Sequence, residues 1–197
     1  MEKPKGKREL KTEQTRQTIL DVSLRLFRRY GFERTSIQDI CREANVSVGS
    51  LYHLFDSKTA IINYILRRVD SFYVDENPID YEKEEPEIIC SLMAEKFNTL
   101  VTTLTPEIVY QALFSSAQGN KTMFYKKRGS IVWMRDHFNG FRDVGKVKDE
   151  MDIEQMVTMI NTCTIGLFYR LYTMEELDSL RDELEDLVVR LFHSYNS

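Results

Sequence analysis

The chain has 197 residues, 42% apolar and 29% charged, with a net charge of −4, so it carries enough apolar material to bury a core. No stretch approaches the roughly 20 apolar residues that span a bilayer, and the basic start MEKPKGKRELK lacks the apolar segment of a secretory signal. Three widely spaced cysteines, Cys41, Cys90 and Cys163, suggest neither a disulfide framework nor a zinc pair, so a cytoplasmic protein is expected.

The acidic total hides a local asymmetry. Residues 1–58 hold 12 Lys and Arg against 8 Asp and Glu, a surplus of +4, and the remainder carries −8. A basic end on an acidic body is expected when only one end meets phosphates.

The pattern reads as helices throughout. The first is predicted from about Thr12 to Tyr30, with Ile19, Leu20, Ser23, Leu24, Phe27 and Tyr30 on one face. Gly31 ends it, and Phe32 folds back as the hydrophobic contact. Ser36 and Asp39 form a start signal for a short second helix, which Asn45 stops at a sharp turn. Asn tolerates the left-handed conformation that such a turn needs. Ser47 is the expected N-cap of another short helix through Leu54, with Leu51 and Phe55 turned inward.

A fourth helix is expected from Asp56 or Ser57 to about Tyr73, burying Ile61, Ile62, Ile65, Leu66, Val69 and Phe72. Asp75 to Glu87 holds seven acids, one lysine and two prolines, and reads as a solvated connector and domain boundary. Pro86 suits the first turn of the next helix, and Thr105-Pro106-Glu107 starts another. A long helix is expected from about Thr122 to Phe141. Asp152 and Gln155 open one late helix. Thr173 and Glu176 form a capping box opening the last, whose stripe is Leu177, Leu180, Leu184, Leu187, Val188, Leu191 and Tyr195.

Thr35–Lys58, TSIQDICREANVSVGSLYHLFDSK, is the segment with chemical content. Its second helix presents Val48, Gly49, Ser50, Tyr52 and His53, short or hydrogen-bonding side chains suited to a major groove. Tyr52 can donate to a phosphate, and Lys58 at the next helix start suits one too. Two short helices joined by a turn also occur in helical proteins that never touch DNA. Motifs of nucleotide-binding, metalloprotease and serine-hydrolase enzymes are absent, as are paired Glu-x-x-His sites. No enzyme, cofactor or metal is expected.

Residues 13–60 resemble the DNA-binding domain of the TetR family of regulators. The matching residues are Tyr30-Gly31-Phe32, Thr35-Ser36-Ile37, Ala44-Asn45-Val46-Ser47, Gly49-Ser50-Leu51-Tyr52 and Phe55-x-Ser57-Lys58, in gapless spacing. The resemblance implies that Ser36 and Gln38 meet the backbone or a base edge. It implies that Ser47, Val48, Ser50 and His53 face the groove, that Gly49 lets the backbone approach, and that Tyr52 and Lys58 hold phosphates. Asn45 stands where the family usually has Gly. Leu54 stands where it often has an aromatic or His. The basic tail Lys3, Lys5, Lys7, Arg8 and Lys11 either tracks a neighbouring groove or is a solubilising terminus.

The expected architecture is all-α. A helix-turn-helix domain over 1–57 is followed by a connecting helix over 58–74, the acidic linker 75–87, and an effector-binding and dimerisation domain over 88–197. The resemblance implies a homodimer through the last two helices (Leu177, Leu180, Leu184, Leu187, Leu191), which two half-sites also require. Met93, Phe97, Tyr110, Phe114, Trp133 and His137 are candidates to line a pocket for a small apolar or aromatic effector, although such residues also serve as plain core. The expected function is a repressor released from operator DNA by that effector. The alternatives are a helical adaptor, or a DNA-binding factor controlled by a protein partner.

Overall fold

The computed structural model describes residues 6–69, 78–114 and 129–197. These form α1 (Lys7–Tyr30), α2 (Ile37–Ala44), α3 (Val48–Leu54), α4 (Lys58–Val69), α5 (Glu87–Leu104), α6 (Pro106–Phe114), α7 (Gly129–Asp143), α8 (Ile153–Met174), a 3-10 turn (Leu177–Ser179) and α9 (Leu180–Asn196). Among the described residues there is no strand, and no helix is long and apolar enough to cross a membrane. The expectations for Lys3, Lys5, Phe72 and the start of a helix near Thr122 fall outside the described residues, as do the side chains of Lys7, Leu66 and Val69.

The first helix begins at Lys7 rather than Thr12. The Gly6 amide donates to the Glu9 carboxylate (3.0 Å), and Thr12, Thr15 and Thr18 donate to carbonyls one turn back. Those turns are mostly solvated, so they leave no apolar period to read. At the other end Gly31 adopts φ 85°, and its amide donates to the Phe27 carbonyl (2.9 Å). Phe32 folds back edge-on to Phe27, ring centres 5.2 Å apart, as expected.

Ile19, Leu20, Phe27, Phe32, Ile40, Leu51, Phe55, Ile61 and Ile62 are buried together and form the core of α1–α4. Side chains of this size contribute about 1.5–3 kcal/mol each on burial. The larger helical body packs α5 on α9, α9 on α8 and α8 on α7, with Ile89, Phe97, Phe138, Ile160, Phe168, Leu184 and Phe192 inside. Head and body meet where α4 packs on α6.

Three sequence expectations change here. Residues 75–77 of the acidic linker fall outside the described residues; in 78–87, Asp80, Glu82, Glu84 and Glu85 are exposed as a solvated connector requires, but the segment is also docked as a turn. The Tyr81 hydroxyl and His137 Nδ1 share a hydrogen bond of 2.8 Å, and the Tyr81 ring meets Phe141 edge-on at 4.9 Å. Lys146 Nζ donates to the carbonyls of Glu82 (3.1 Å) and Glu84 (2.6 Å). The acidic composition signalled solvation, but one aromatic and one distant lysine decide the docking.

Second, Thr173 does not open the last helix. It lies inside α8 and donates to Tyr169 (3.0 Å) and Arg170 (2.9 Å) carbonyls. The break comes at Glu175, in the left-handed region at φ 61°, and α9 starts at Leu180. A threonine that bonds back within a helix and one that caps the next look alike in sequence.

Third, Leu180 and Leu184 are fully buried inside their own chain, with Val188 and Phe192. Leu177, Leu187 and Leu191 are half-buried. Only this second set retains surface for a partner.

Candidate nucleic-acid interface

The interface is built from two capped helices and a left-handed turn. The Ser36 side chain accepts from the Asp39 amide (3.1 Å), and the Asp39 carboxylate accepts from the Ser36 amide (3.1 Å) and hydroxyl (2.6 Å). That hydroxyl, then the Ser36 amide and Arg42, hold the Asp39 carboxyl below its ordinary range. The start signal read from Ser36 and Asp39 is thus a reciprocal capping box, in which each residue satisfies an otherwise unpaired donor of the other.

Asn45 ends α2 at φ 52°, ψ 47°, and its amide donates to Arg42 and Cys41 carbonyls. It carries the left-handed turn where Gly would otherwise stand. Two residues on, Ser47 caps α3: its hydroxyl accepts from the Ser50 amide (3.0 Å) and pairs with the Ser50 hydroxyl (2.8 Å).

This geometry sorts α3 into two faces. Leu51 is fully buried, and Phe55 follows it into the core. Ser47, Gly49, Ser50 and His53 are exposed, with Val48 42% and Tyr52 50% exposed. Short and hydrogen-bonding side chains exposed together on one face of a seven-residue helix suit the base edges and phosphates of a major groove. A methyl group at Gly49 would meet nothing closer than Ser47 Oγ at 4.0 Å, so the glycine faces open space. Gln38 is exposed on the first turn of α2. Leu54 is half-buried against the core, so it is drawn away from the presenting face.

Lys58 is placed differently from the expectation. Its ammonium turns inward and donates to the carbonyls of Phe32 (2.6 Å) and Thr35 (3.0 Å), 4.1 Å from the centre of the Phe32 ring. It ties the start of α4 to the loop that enters α2. Sequence spacing placed Lys58 at a helix start, but only the tertiary fold brings the Phe32 and Thr35 carbonyls within reach.

The head is also fastened to the body. The Phe32 amide donates to Glu107 Oε1 (3.3 Å), Gln111 donates to Glu33 (3.3 Å), and Arg28 donates to the Thr103 carbonyl. Glu107 and Gln111 stand on α6. Thr105 precedes them in a strained conformation, φ 82°, at the corner between α5 and α6.

The six candidate effector residues do not gather at one place: three join an aromatic ladder, two pair elsewhere and one stands apart. Phe97 meets Phe168 (5.9 Å), Phe168 stacks on Tyr172 (5.8 Å), Tyr172 stacks on Tyr110 (4.6 Å), and Tyr110 touches Phe114 (5.2 Å). This ladder ends at the surface, where Phe114 and Tyr169 are 39% and 46% exposed. Burial, then Glu107 and Tyr110, push the Tyr172 hydroxyl pKa up. Trp133 and His137 stand instead on α7, where His137 meets both Trp133 and Tyr81, and Met93 is buried on α5. Sequence reasoning missed Tyr172 and Phe168 as ladder members, although their spacing of four puts both on one face of α8. A recess of roughly 420 Å³ sits elsewhere, on the head, lined by Arg25, Leu26, Arg29, Tyr30, Arg34, Thr35, Asp39, Arg42 and Glu43.

Comparison with known proteins places this geometry. The family model for bacterial regulatory proteins of the tetR family matches residues 19–65. The regulator AcrR of Shigella flexneri is 33% identical over 96 residues, which cover 48% of this chain and 44% of AcrR. The chain therefore matches less than half the length of that relative. Among solved structures, a TetR-family regulator from Pectobacterium atrosepticum aligns with TM-score 0.70 at 18% identity, covering 95% of this chain and 96% of its own. FadR of Thermus thermophilus, a repressor bound to lauroyl-CoA, aligns with TM-score 0.68 at 17% identity, covering 90% and 92%. At these identities the structures speak for the fold alone.

Proposed function

We propose that the chain, whose residues 19–65 match the model of the tetR family of bacterial regulatory proteins, is a member of that family and a sequence-specific DNA-binding transcription regulator, a homodimeric repressor released by a small-molecule effector. The observation that carries the DNA reading is α3. Ser47, Val48, Gly49, Ser50, Tyr52 and His53 face solvent on a helix whose opposite side, Leu51, is locked in the core. Ser36 and Gln38 extend that surface at the start of α2. Tyr52 supplies a phosphate contact. Lys58 supports the surface from behind, holding the loop that presents Ser36.

Selection of binding sites from random duplex DNA, followed by fluorescence anisotropy, tests this reading. A preferred site should emerge, and its affinity should fall steeply with salt. Tyr52→Ala should weaken binding without loss of folding, since the ring is half exposed. No enriched site, with binding equal on all duplexes, would leave the adaptor reading in its place.

The effector reading rests on the aromatic ladder. An apolar or aromatic molecule entering at Phe114 and Tyr169 would exchange ring contacts with Tyr110 and Tyr172. Because Tyr110, Glu107 and Gln111 share α6, a shift of that helix alters what holds the Phe32 amide and Glu33 in the head. The effector acts only through its differential affinity for the two positions of α6. Dimerisation uses the Leu187 and Leu191 edge of α9, since Leu180 and Leu184 are consumed by the core. Light scattering on Leu187→Glu should show a monomer, while an unchanged dimer would refute that edge.

A further inference from the structure

We propose that the recess between α1 and α2 is a phosphate-binding site, filled by a phosphate-bearing small molecule or by DNA backbone beyond the recognition surface. Four arginines, Arg25, Arg29, Arg34 and Arg42, line it with two acids, Asp39 and Glu43. The acids are already engaged. Arg25 pairs with Glu43 (3.3 Å), and Arg42 pairs with Asp39 (2.6 Å). The surplus is the two guanidinium groups of Arg29 and Arg34, for which no carboxylate lies within ion-pair distance among the described residues. Arg29 is instead held 5.2 Å from the centre of the Tyr30 ring, which steers it at the rim.

Two uncompensated guanidinium groups at one concavity repel each other and attract an anion. The guanidinium fork matches phosphate oxygens in bidentate geometry, which an ammonium does not. The floor, Leu26 and Thr35, is buried, and the Thr35 hydroxyl is already spent on the Gly31 carbonyl at 2.8 Å. The selectivity is therefore for charge and shape at the rim. A volume of about 420 Å³ is many times the ~30 Å³ share of one water, so a chain of two or three phosphates fits. No residue of α3 lines the recess, so it is distinct from the surface proposed for base contact.

The test uses the full chain in three forms: wild type, Arg29→Ala/Arg34→Ala, and Arg190→Ala as a control from α9, whose guanidinium pairs with Asp186 (2.8 Å). Both recess arginines are exposed, so circular dichroism should be unchanged. Inorganic triphosphate is titrated calorimetrically into each protein without DNA. Binding to wild type and control that falls at least ten-fold in the double variant supports a free phosphate ligand. The other source is DNA. In that case triphosphate does not bind, and the slope of log DNA affinity against log salt becomes shallower by about one for each phosphate no longer held, in the double variant alone. Arg29→Lys/Arg34→Lys keeps the charge and loses the fork, so it should fall between. Equal triphosphate binding by wild type, control and double variant, or no binding and an unchanged slope, overturns the proposal. A wild-type chain that binds triphosphate but no DNA would sink the regulator reading and leave this site standing.

Discussion

Replacing Lys58 with Met separates two roles that sequence alone leaves entangled. The ammonium donates to the Phe32 and Thr35 carbonyls at 2.6 and 3.0 Å and lies 4.1 Å from the Phe32 ring centre. Hydrogen bonds to a charged group contribute about 1.5–3 kcal/mol each, and a cation–π contact about 0.5–1 kcal/mol at an accessible site. Water still reaches the partly buried ammonium and screens the hydrogen bonds, and the Phe32 carbonyl keeps the Thr35 amide (3.3 Å) as a partner after the change. Met retains the apolar stem. The expected net loss is about 2–4 kcal/mol. With a urea slope of about 1–3 kcal/mol/M, that moves the unfolding midpoint down by roughly 0.7–4 M. Urea unfolding followed by circular dichroism should be run at one protein concentration, because the stability of the proposed dimer depends on it. A loss below about 0.5 kcal/mol, accompanied by weaker DNA binding, would refute the strut and restore Lys58 as a phosphate anchor.

Four further outcomes are expected. Asn45→Ala should cost about 1 kcal/mol through its left-handed backbone, while Asn45→Gly should be close to neutral, both read by thermal unfolding. Gly140→Ala places a methyl 2.5 Å from Tyr81 ring carbons, so the ring must move and its bond to His137 must break; a loss of about 1–3 kcal/mol and a changed Tyr81 fluorescence environment are expected. Asp39 has a folded pKa below its ordinary 3.8, so its stabilising effect is present above that value and is lost as pH falls through the lower folded pKa. Ser36→Ala removes the largest cause and should raise the Asp39 pKa in a carbon-detected NMR titration. Burial pushes Cys41 up and Cys90 to about 12, so a thiol reagent at pH 8 should modify only Cys163 until the chain unfolds.

The local devices of the head were legible in the sequence because each is decided within a few residues. A serine three places before an acid, an asparagine at a forced turn and a glycine after an amphipathic helix specify Ser36, Asn45 and Gly31 by short-range hydrogen bonds and backbone sterics. The period of three and four likewise placed Leu51 and Phe55 inside, which leaves Tyr52 and His53 outside. The helical class of the whole chain follows from the same local preferences.

What only the tertiary structure decided are the pairings across long separations. Nothing near Lys58 announces that the Phe32 and Thr35 carbonyls will sit within reach of its ammonium. Nothing near Glu107 announces the Phe32 amide. Leu180 and Leu187 carry equal hydrophobicity in the sequence, yet packing against α5 and α8 consumes one and leaves the other half-exposed. The helix-turn-helix was therefore written in the sequence. Its support from behind, its fastening to α6 and the arginine recess on its flank depend on which surfaces meet when the helices pack.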